Sequence, residues 1–307
     1  MGNQIRTTIL LAVMTALILW IGQLFGGQQG MIMALFLAAG MNFFSYWYSD
    51  KIVLKMYRAQ EVTQQQAPEL YEMVQELSRR AGLPMPKVCV MPNQAPNAFA
   101  TGRNPRHAVV AVTEGLLGIM DREEVMGVLA HEMAHVRNRD ILIGSIAATM
   151  AGAIMILGYM ARFFAFFGGG GRDDDEGGLG IIGLLVMSIL APIAALIIQM
   201  AISRSREYLA DASGAGFVGH PEGLARALEK LGYYSKKLPM KANPSTAHMF
   251  IVNPLSGRSL MSLFSTHPPL EERIARLRGY RPAKQGSDSG KDGRQADAKA
   301  FWDRLSE

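Results

Sequence analysis

The sequence holds one cysteine, Cys89, in 307 residues. A single thiol excludes an intramolecular disulfide framework and fits a reducing compartment. Charge is also scarce: Asp, Glu, Lys and Arg make up 19% of the chain, against 49% hydrophobic residues. That balance excludes wholesale disorder, which needs low hydrophobicity and high charge. A purely water-soluble protein is also doubtful, because the apolar residues gather in four blocks. There is no long-period repeat. No basic stripe interleaved with aromatics accompanies the +5 net charge, so no nucleic-acid partner is expected. Only six histidines are present, which gives weight to any pair at a chemically meaningful spacing.

The four blocks run from Ile5 to Leu24, Met31 to Tyr48, Ile141 to Phe167 and Leu179 to Ile202. At 1.5 Å rise per residue, roughly 20 apolar residues cross the ~30 Å hydrocarbon core, so each block is long enough or nearly so. The first lacks a small-residue cleavage site and is followed almost at once by the second. This predicts a retained transmembrane hairpin over residues 1–50. Of the 31 Lys and Arg residues, 29 lie at Arg6, in 51–140 or in 203–307. The Phe25–Gly30 turn has none, and the acidic Gly168–Gly178 loop has only Arg172. The positive-inside bias therefore places both termini and both large polar segments in the cytoplasm, against a lipid bilayer crossed four times.

Residues 51–140 read as mixed α/β. Pro68 opens a helix in which Leu70, Met73, Val74, Leu77 and Ala81 recur at helical spacing. Strands are predicted at Lys87–Met91 and His107–Val112, with Asn97–Gly102 between them. Asp121 and Glu124 have the spacing of a capping box for the next helix. Residues 203–232 and 268–278 also read as helical. The polar domain thus comes in two parts, 51–140 and 203–281, separated by the third and fourth apolar helices with their acidic, Gly-rich loop (141–202). The tail from 282 to 307 is rich in Lys, Gly, Ser and Asp and is expected to be disordered.

The most informative stretch is His131-Glu-Met-Ala-His135. Four residues are little more than one helical turn, so both imidazoles project from one face and can bind one Zn²⁺. Glu132, about 100° around the helix, is placed to act as general base toward an attacking water. A catalytic zinc wants three protein ligands and an open position. The extended signature would need Gly at 138 and His at 141, where this chain has Asn138 and Ile141. The third ligand must come from elsewhere. Glu207 and Asp211, four apart after the fourth block, are the best candidates: one carboxylate for the metal, the other to hydrogen-bond a ligand imidazole. His107, His220, His248 and His267 sit beside Pro or Gly or in irregular stretches, where structural or surface roles are expected.

These motifs, with Asn97-Ala-Phe-Ala-Thr-Gly102, Ser245-Thr-Ala-His248, Phe250-Ile-Val-Asn-Pro254 and Phe264-Ser-Thr-His-Pro-Pro-Leu-Glu-Glu-Arg273, make the chain resemble the HtpX family of bacterial membrane zinc metalloproteases, relatives of the CAAX prenyl proteases. The likeness covers residues 1–281 and leaves out the acidic connector and the tail. It implies a mainly α membrane protein with four transmembrane helices and a cytoplasmic α+β zincin-like (gluzincin) domain carrying a small sheet. It further implies one Zn²⁺ on His131, His135 and Glu207, with Glu132 as general base. Asn97 and His267 are implicated near the catalytic centre, Asn97 to hydrogen-bond substrate backbone and His267 to steady an oxyanion. The implied substrates are misfolded or damaged membrane proteins, cleaved in quality control and stress response at a bacterial inner membrane. The rival readings are a membrane adaptor or chaperone-like subunit with structural zinc, which four protein ligands, often including Cys, would close although Cys89 reads as a distant apolar strand residue, and a metal transporter. Gln199 and Asn42 offer too few intramembrane polar groups for the latter. The sequence sets no oligomeric state.

Overall fold

Short runs of Val, Ala, Phe and Met bounded by Pro and Gly build a four-stranded sheet. In the computed structural model, which describes residues 3–167, 203–238, 240, 242–243, 245–252 and 267–279, the strands are β1 (Gln60–Glu61), β2 (Lys87–Met91), β3 (Ala98–Thr101) and β4 (Val109–Thr113). Their order is β1-β2-β4-β3. β2 and β4 run parallel, with Lys87 opposite Val109 and Met91 opposite Thr113. The outer pairs, β1 with β2 and β3 with β4, are antiparallel, so β3 forms an edge. Two expectations shift. The strand expected from His107 starts at Val109, because Pro105–His107 forms a 3-10 turn whose first N–H is capped by Asn104. The Asn97–Gly102 stretch, expected between strands, is largely strand itself.

Side chains alternate across a strand, and here both faces are covered. Val88, Ala98, Ala100, Val110 and Val112 face the core shared with α2 (Pro68–Ala81) and α4 (Arg122–Arg137). Cys89, Met91, Phe99, Val109 and Ala111 face the other way, against Val53, Ala148 and Phe250. Double burial explains why the strands read as continuous apolar runs. The α2 stripe of Leu70, Met73, Val74, Leu77 and Ala81 is buried, and the helix ends at a left-handed Gly82. α3 (Glu114–Ile119) leads into α4, whose start carries the reciprocal Asp121–Glu124 capping box.

The first two apolar blocks form one helical stretch, α1 (Asn3–Met56), folded back at Gly27, whose φ of 55° and ψ of −144° interrupt the helix. The arms touch: Asn42 Nδ2 donates to Thr15 Oγ1 at 2.8 Å. A Cβ on Gly22 would lie 2.6 Å from the Gly30 carbonyl oxygen, so Gly22 serves a close approach. The arm Gly27–Met56 is long and apolar enough to cross a membrane, the one such helix found among the described residues. It runs past the boundary expected at residue 50, because Val53 is buried against the sheet. α5 (Ile141–Phe167) covers the third block, and its Ile143, Ile146, Ala147 and Met150 pack on Leu10 and Met14 of α1. The fourth block, the acidic loop and the tail lie outside the described residues, as does 253–266 from the motif stretches. The described remainder comprises α6 (Arg204–Val218), α7 (Glu222–Lys237) and α8 (Leu270–Arg278). The helix expected through 203–232 is broken at 219–221, where Gly219 is left-handed.

Candidate active site and metal centre

α4 packs between the sheet and α6. That contact is close because Gly214 of α6 has no side chain: a Cβ there would lie 2.9 Å from the His131 backbone N. Glu207, Asp211 and Gly214 share one face of α6, at helical spacings of four and three, so this contact sets both carboxylates against the two histidines of α4. His131, Glu132, Glu207 and Asp211 are all buried. The donor atoms of His131, His135 and Glu207 lie within 4.8 Å of one another. His131 Nε2 is 3.2 Å from His135 Nε2, and Glu207 oxygens lie 3.7 and 3.6 Å from these two nitrogens. The group lines a cavity with Ala100, Glu132, His248 and His267.

The back of each imidazole meets a carboxylate. His131 Nδ1 lies 2.9 Å from Asp211 Oδ1, and His135 Nδ1 lies 3.2 Å from Asp140 Oδ2. A carboxylate only accepts, so each Nδ1 carries a proton and, in the neutral ring, each Nε2 keeps a lone pair. Two lone pairs and a carboxylate converging on one point call for positive charge there. Burial and Arg273 lower His131 to about 4. Burial also opposes a charge on His135, yet its bond to Asp140 and the Glu207 charge carry it up to about 9. Glu207, despite burial, is held well below the usual carboxylate range by His267 and the two α4 histidines. A proton on His135 is one answer to this surplus of acceptors, and a divalent cation is the other. The residues fit a metal ion.

Glu132 sits one step round α4. Burial pushes its carboxyl up to about 7, against the pull of His135, while the Ala100 N–H of β3 hydrogen-bonds it. Such a group exchanges a proton readily near neutral pH.

Asn97 and His267 differ in their surroundings. The Asn97 amide is consumed by the chain itself: Nδ2 donates to the Val252 carbonyl at 3.0 Å, and Oδ1 accepts from Ala98 N at 3.1 Å. Ile251 N also donates to Ala98 O at 3.0 Å. The 251–252 segment thus occupies the edge of β3 at this point, and the Asn97 amide holds that segment. His267 does reach the cavity. Its Nδ1 lies 3.0 Å from Glu207 Oε2 and its Nε2 3.1 Å from the His248 carbonyl. With both nitrogens engaged, the ring would have to release one partner to meet an oxyanion.

Three residues given no role from sequence stand out. Arg273 has no exposed surface, forks onto Asp211 at 2.9 and 2.7 Å, and donates to the Ile251 carbonyl at 2.9 Å. Its signal was a charge at an apolar-stripe position: Leu270, Arg273, Ile274 and Leu277 share the inner face of α8. Asp140 left no signal beyond an acid close behind the histidines. His248 is buried, with Nε2 3.1 Å from the Gly144 carbonyl. His107 is bonded to Asn104 and His220 lies near Glu123, both at the surface. Cys89 is on the opposite sheet face, away from the cluster.

Comparison with known proteins gives the family. The sequence profile of peptidase family M48 matches residues 64–281. A protein of Desulforapulum autotrophicum named Protease HtpX homolog is 65% identical over 314 aligned residues, covering 99% of this chain and 100% of its own. A protein of the same name from Desulfatibacillum aliphaticivorans is 67% identical over 309 residues, with coverage of 99% and 100%. A solved structure titled as S. mikatae Ste24p is similar with a TM-score of 0.49 at 21% identity, over 90% of this chain and 65% of that one.

Proposed function

The chain belongs to peptidase family M48, and from that premise we propose that it is a membrane-embedded, zinc-dependent endopeptidase. It cleaves misfolded or damaged membrane proteins, and other unfolded polypeptides, at the cytoplasmic face of a bacterial inner membrane, in protein quality control and stress response. The observation that carries this reading is the convergence of His131, His135 and Glu207 donors within 4.8 Å, with Glu132 beside them on α4.

One Zn²⁺ would be held by the Nε2 atoms of His131 and His135 and by a Glu207 carboxylate oxygen, with Asp211 fixing the tautomer of His131. Bound there, zinc supplies a Lewis acid for the scissile carbonyl and acidifies water. Glu132 takes a proton from the attacking water and returns it to the leaving amine. His267, bonded to Glu207, steadies that ligand and is within the cavity to meet an oxyanion. An extended substrate adds beside β3, but further along than Asn97 and Ala98, whose edge the 251–252 segment fills. Ala100, which lines the cavity and bonds Glu132, is the natural point of contact. Strand addition reads backbone and so tolerates many sequences.

The membrane reading rests on the apolar blocks and the exposed apolar side chains of α1: Met33 is 73% and Phe36 74% exposed, surface that water does not favour but lipid does. Four crossings, with a hairpin over 1–50, catalytic parts at 51–140 and 203–281 flanking 141–202, and both termini cytoplasmic, complete the proposal. Glu132→Gln tests it. The pure variant is expected to bind zinc as the wild type does and to lose cleavage of an unfolded substrate. Cleavage at the wild-type rate refutes the mechanism.

A further inference from the structure

Each imidazole at the centre is backed by a carboxylate, and each carboxylate has an arginine behind it. Asp211, behind His131, receives the fork of Arg273. Asp140, behind His135, lies 3.9 Å from Arg206 Nη1, and Arg206 is the neighbour of Glu207 on α6. We infer that Asp140 is the positioning residue of His135: it sets the ring's tautomer and direction, with Arg206 as its counter-charge. The inference rests on the metal reading above.

Local backbone supports this role independently. After α4 the chain turns through Arg139, whose φ of 59° is unusual for a residue other than glycine. The turn brings Asp140 back beneath the helix end, where its N–H donates to the His135 carbonyl at 2.9 Å. The same residue therefore grips His135 through both backbone and side chain. Asp140 is buried, and a buried carboxylate persists only where it is paired. Its pairing here is with the ligand's Nδ1 on one oxygen and with Arg206 on the other. Asp140 also precedes α5, and its carbonyl accepts from Gly144 N at 3.2 Å. A role in starting that helix must therefore be separated from a role toward His135.

Two substitutions separate them. Ser and Asn both suit the residue before a helix. Ser is too short to reach Nδ1, whereas Asn keeps an acceptor oxygen without the charge. The full chain in detergent, as wild type, Asp140→Ser and Asp140→Asn, is titrated with zinc against a competing chelator. Melting is followed in the metal-free form, and the electronic spectrum is recorded with Co²⁺ loaded. Expected are a loss of zinc affinity of about 10- to 100-fold for Asp140→Ser, an intermediate loss for Asp140→Asn, and an altered Co²⁺ spectrum in the same order. Metal-free melting is expected to fall only slightly, by much less than the loss of zinc affinity represents. Zinc affinity within twofold of wild type in both variants overturns the inference, as does a loss matched by equal destabilisation of the metal-free protein. Should Asp140→Ser not fold, Asp140→Asn decides by the same criteria. A wild type that takes up no zinc refutes the metal reading itself, a distinguishable result.

Discussion

Replacing Gly214 by Ala adds one methyl group to the contact on which the centre depends. Built on the present backbone, the new Cβ would lie 2.9 Å from His131 N, 3.0 Å from Ala130 C and 3.1 Å from Ala130 O. All three neighbours are backbone atoms in the middle of α4, so no rotamer change relieves the clash. Reaching ordinary van der Waals distance requires α4 and α6 to part by roughly 0.5 Å. Overpacking of this kind costs about 1–3 kcal/mol. The functional loss is expected to exceed the stability loss. The Glu207 and Asp211 side chains ride on α6, and a shift of that size stretches the 2.9 Å contact between Asp211 and His131 Nδ1 to the limit of a hydrogen bond. It also exceeds the roughly 0.2 Å tolerance of metal–ligand distances. Chelator competition is expected to show zinc affinity reduced by at least about tenfold, with a lowered melting temperature. The control is Gly118→Ala in α3, where an added Cβ meets nothing within 4 Å; helix propensity makes it neutral or stabilising by up to about 1 kcal/mol. If Gly214→Ala binds zinc and melts like the wild type, helix proximity does not govern the geometry of the centre.

Arg273→Met leaves the buried Asp211 carboxylate without its fork, and loss of one partner of a buried pair costs about 3–5 kcal/mol. Denaturant unfolding of the single variant against Arg273→Met with Asp211→Asn measures it, and equal stability of Arg273→Met and the wild type would count against the pairing. Removal of metal by a chelator is expected to abolish proteolysis and lower the melting temperature, both restored by added zinc, since a ligand that binds only the native state stabilises it. Cleavage that persists after verified metal removal contradicts this. Burial pushes the Cys89 thiol up to about 11, so at pH 8 the thiolate is rarer in the native chain than in the unfolded one. Iodoacetamide is expected to alkylate Cys89 far more slowly before denaturation than after, with the native rate still climbing as pH rises past 9. Equal rates at pH 8 would show the thiol to be open.

What was legible in the sequence was mostly local. His131, Glu132 and His135 lie on one helix, and spacing alone puts the two imidazoles on one face with Glu132 one step round. Glu207 and Asp211 repeat that logic on α6. The strands at Lys87–Met91 and around Val109–Val112 follow from short apolar runs, and the α2 stripe and the capping box from spacings of three and four residues. Partners distant in sequence were hidden. An asparagine amide at position 97 looks the same whether it awaits a substrate or holds residue 252 of its own chain. Arg273 meets Asp211 from a separate helix, and only its place in an apolar stripe hinted at burial. The two-residue strand β1 is too short to leave a period. Asp140 depends on a left-handed turn at Arg139, a conformation that the residue type disfavours and so does not announce.

The doubly covered sheet explains how residues on either side of the apolar helix α5 still assemble one site. Its Ala98–Ala100–Val110–Val112 face packs on α4, and its Phe99–Ala111 face takes Val53 from the end of α1 and Ala148 from α5. Phe99 continues that second face into an aromatic cluster with Tyr57 and Phe250, whose ring centroids lie 5.0 to 6.1 Å apart. Tyr57 also hydrogen-bonds Thr246. The same loop carries His248, whose carbonyl meets His267. A chain of contacts therefore runs from the foot of the first apolar hairpin, through one strand and one loop, to a side chain bonded to Glu207. The position of the apolar helices and that of the third candidate ligand are fixed against the same four strands. The segment inserted between His135 and Glu207, which begins with α5, can therefore lengthen the connection without loosening the centre.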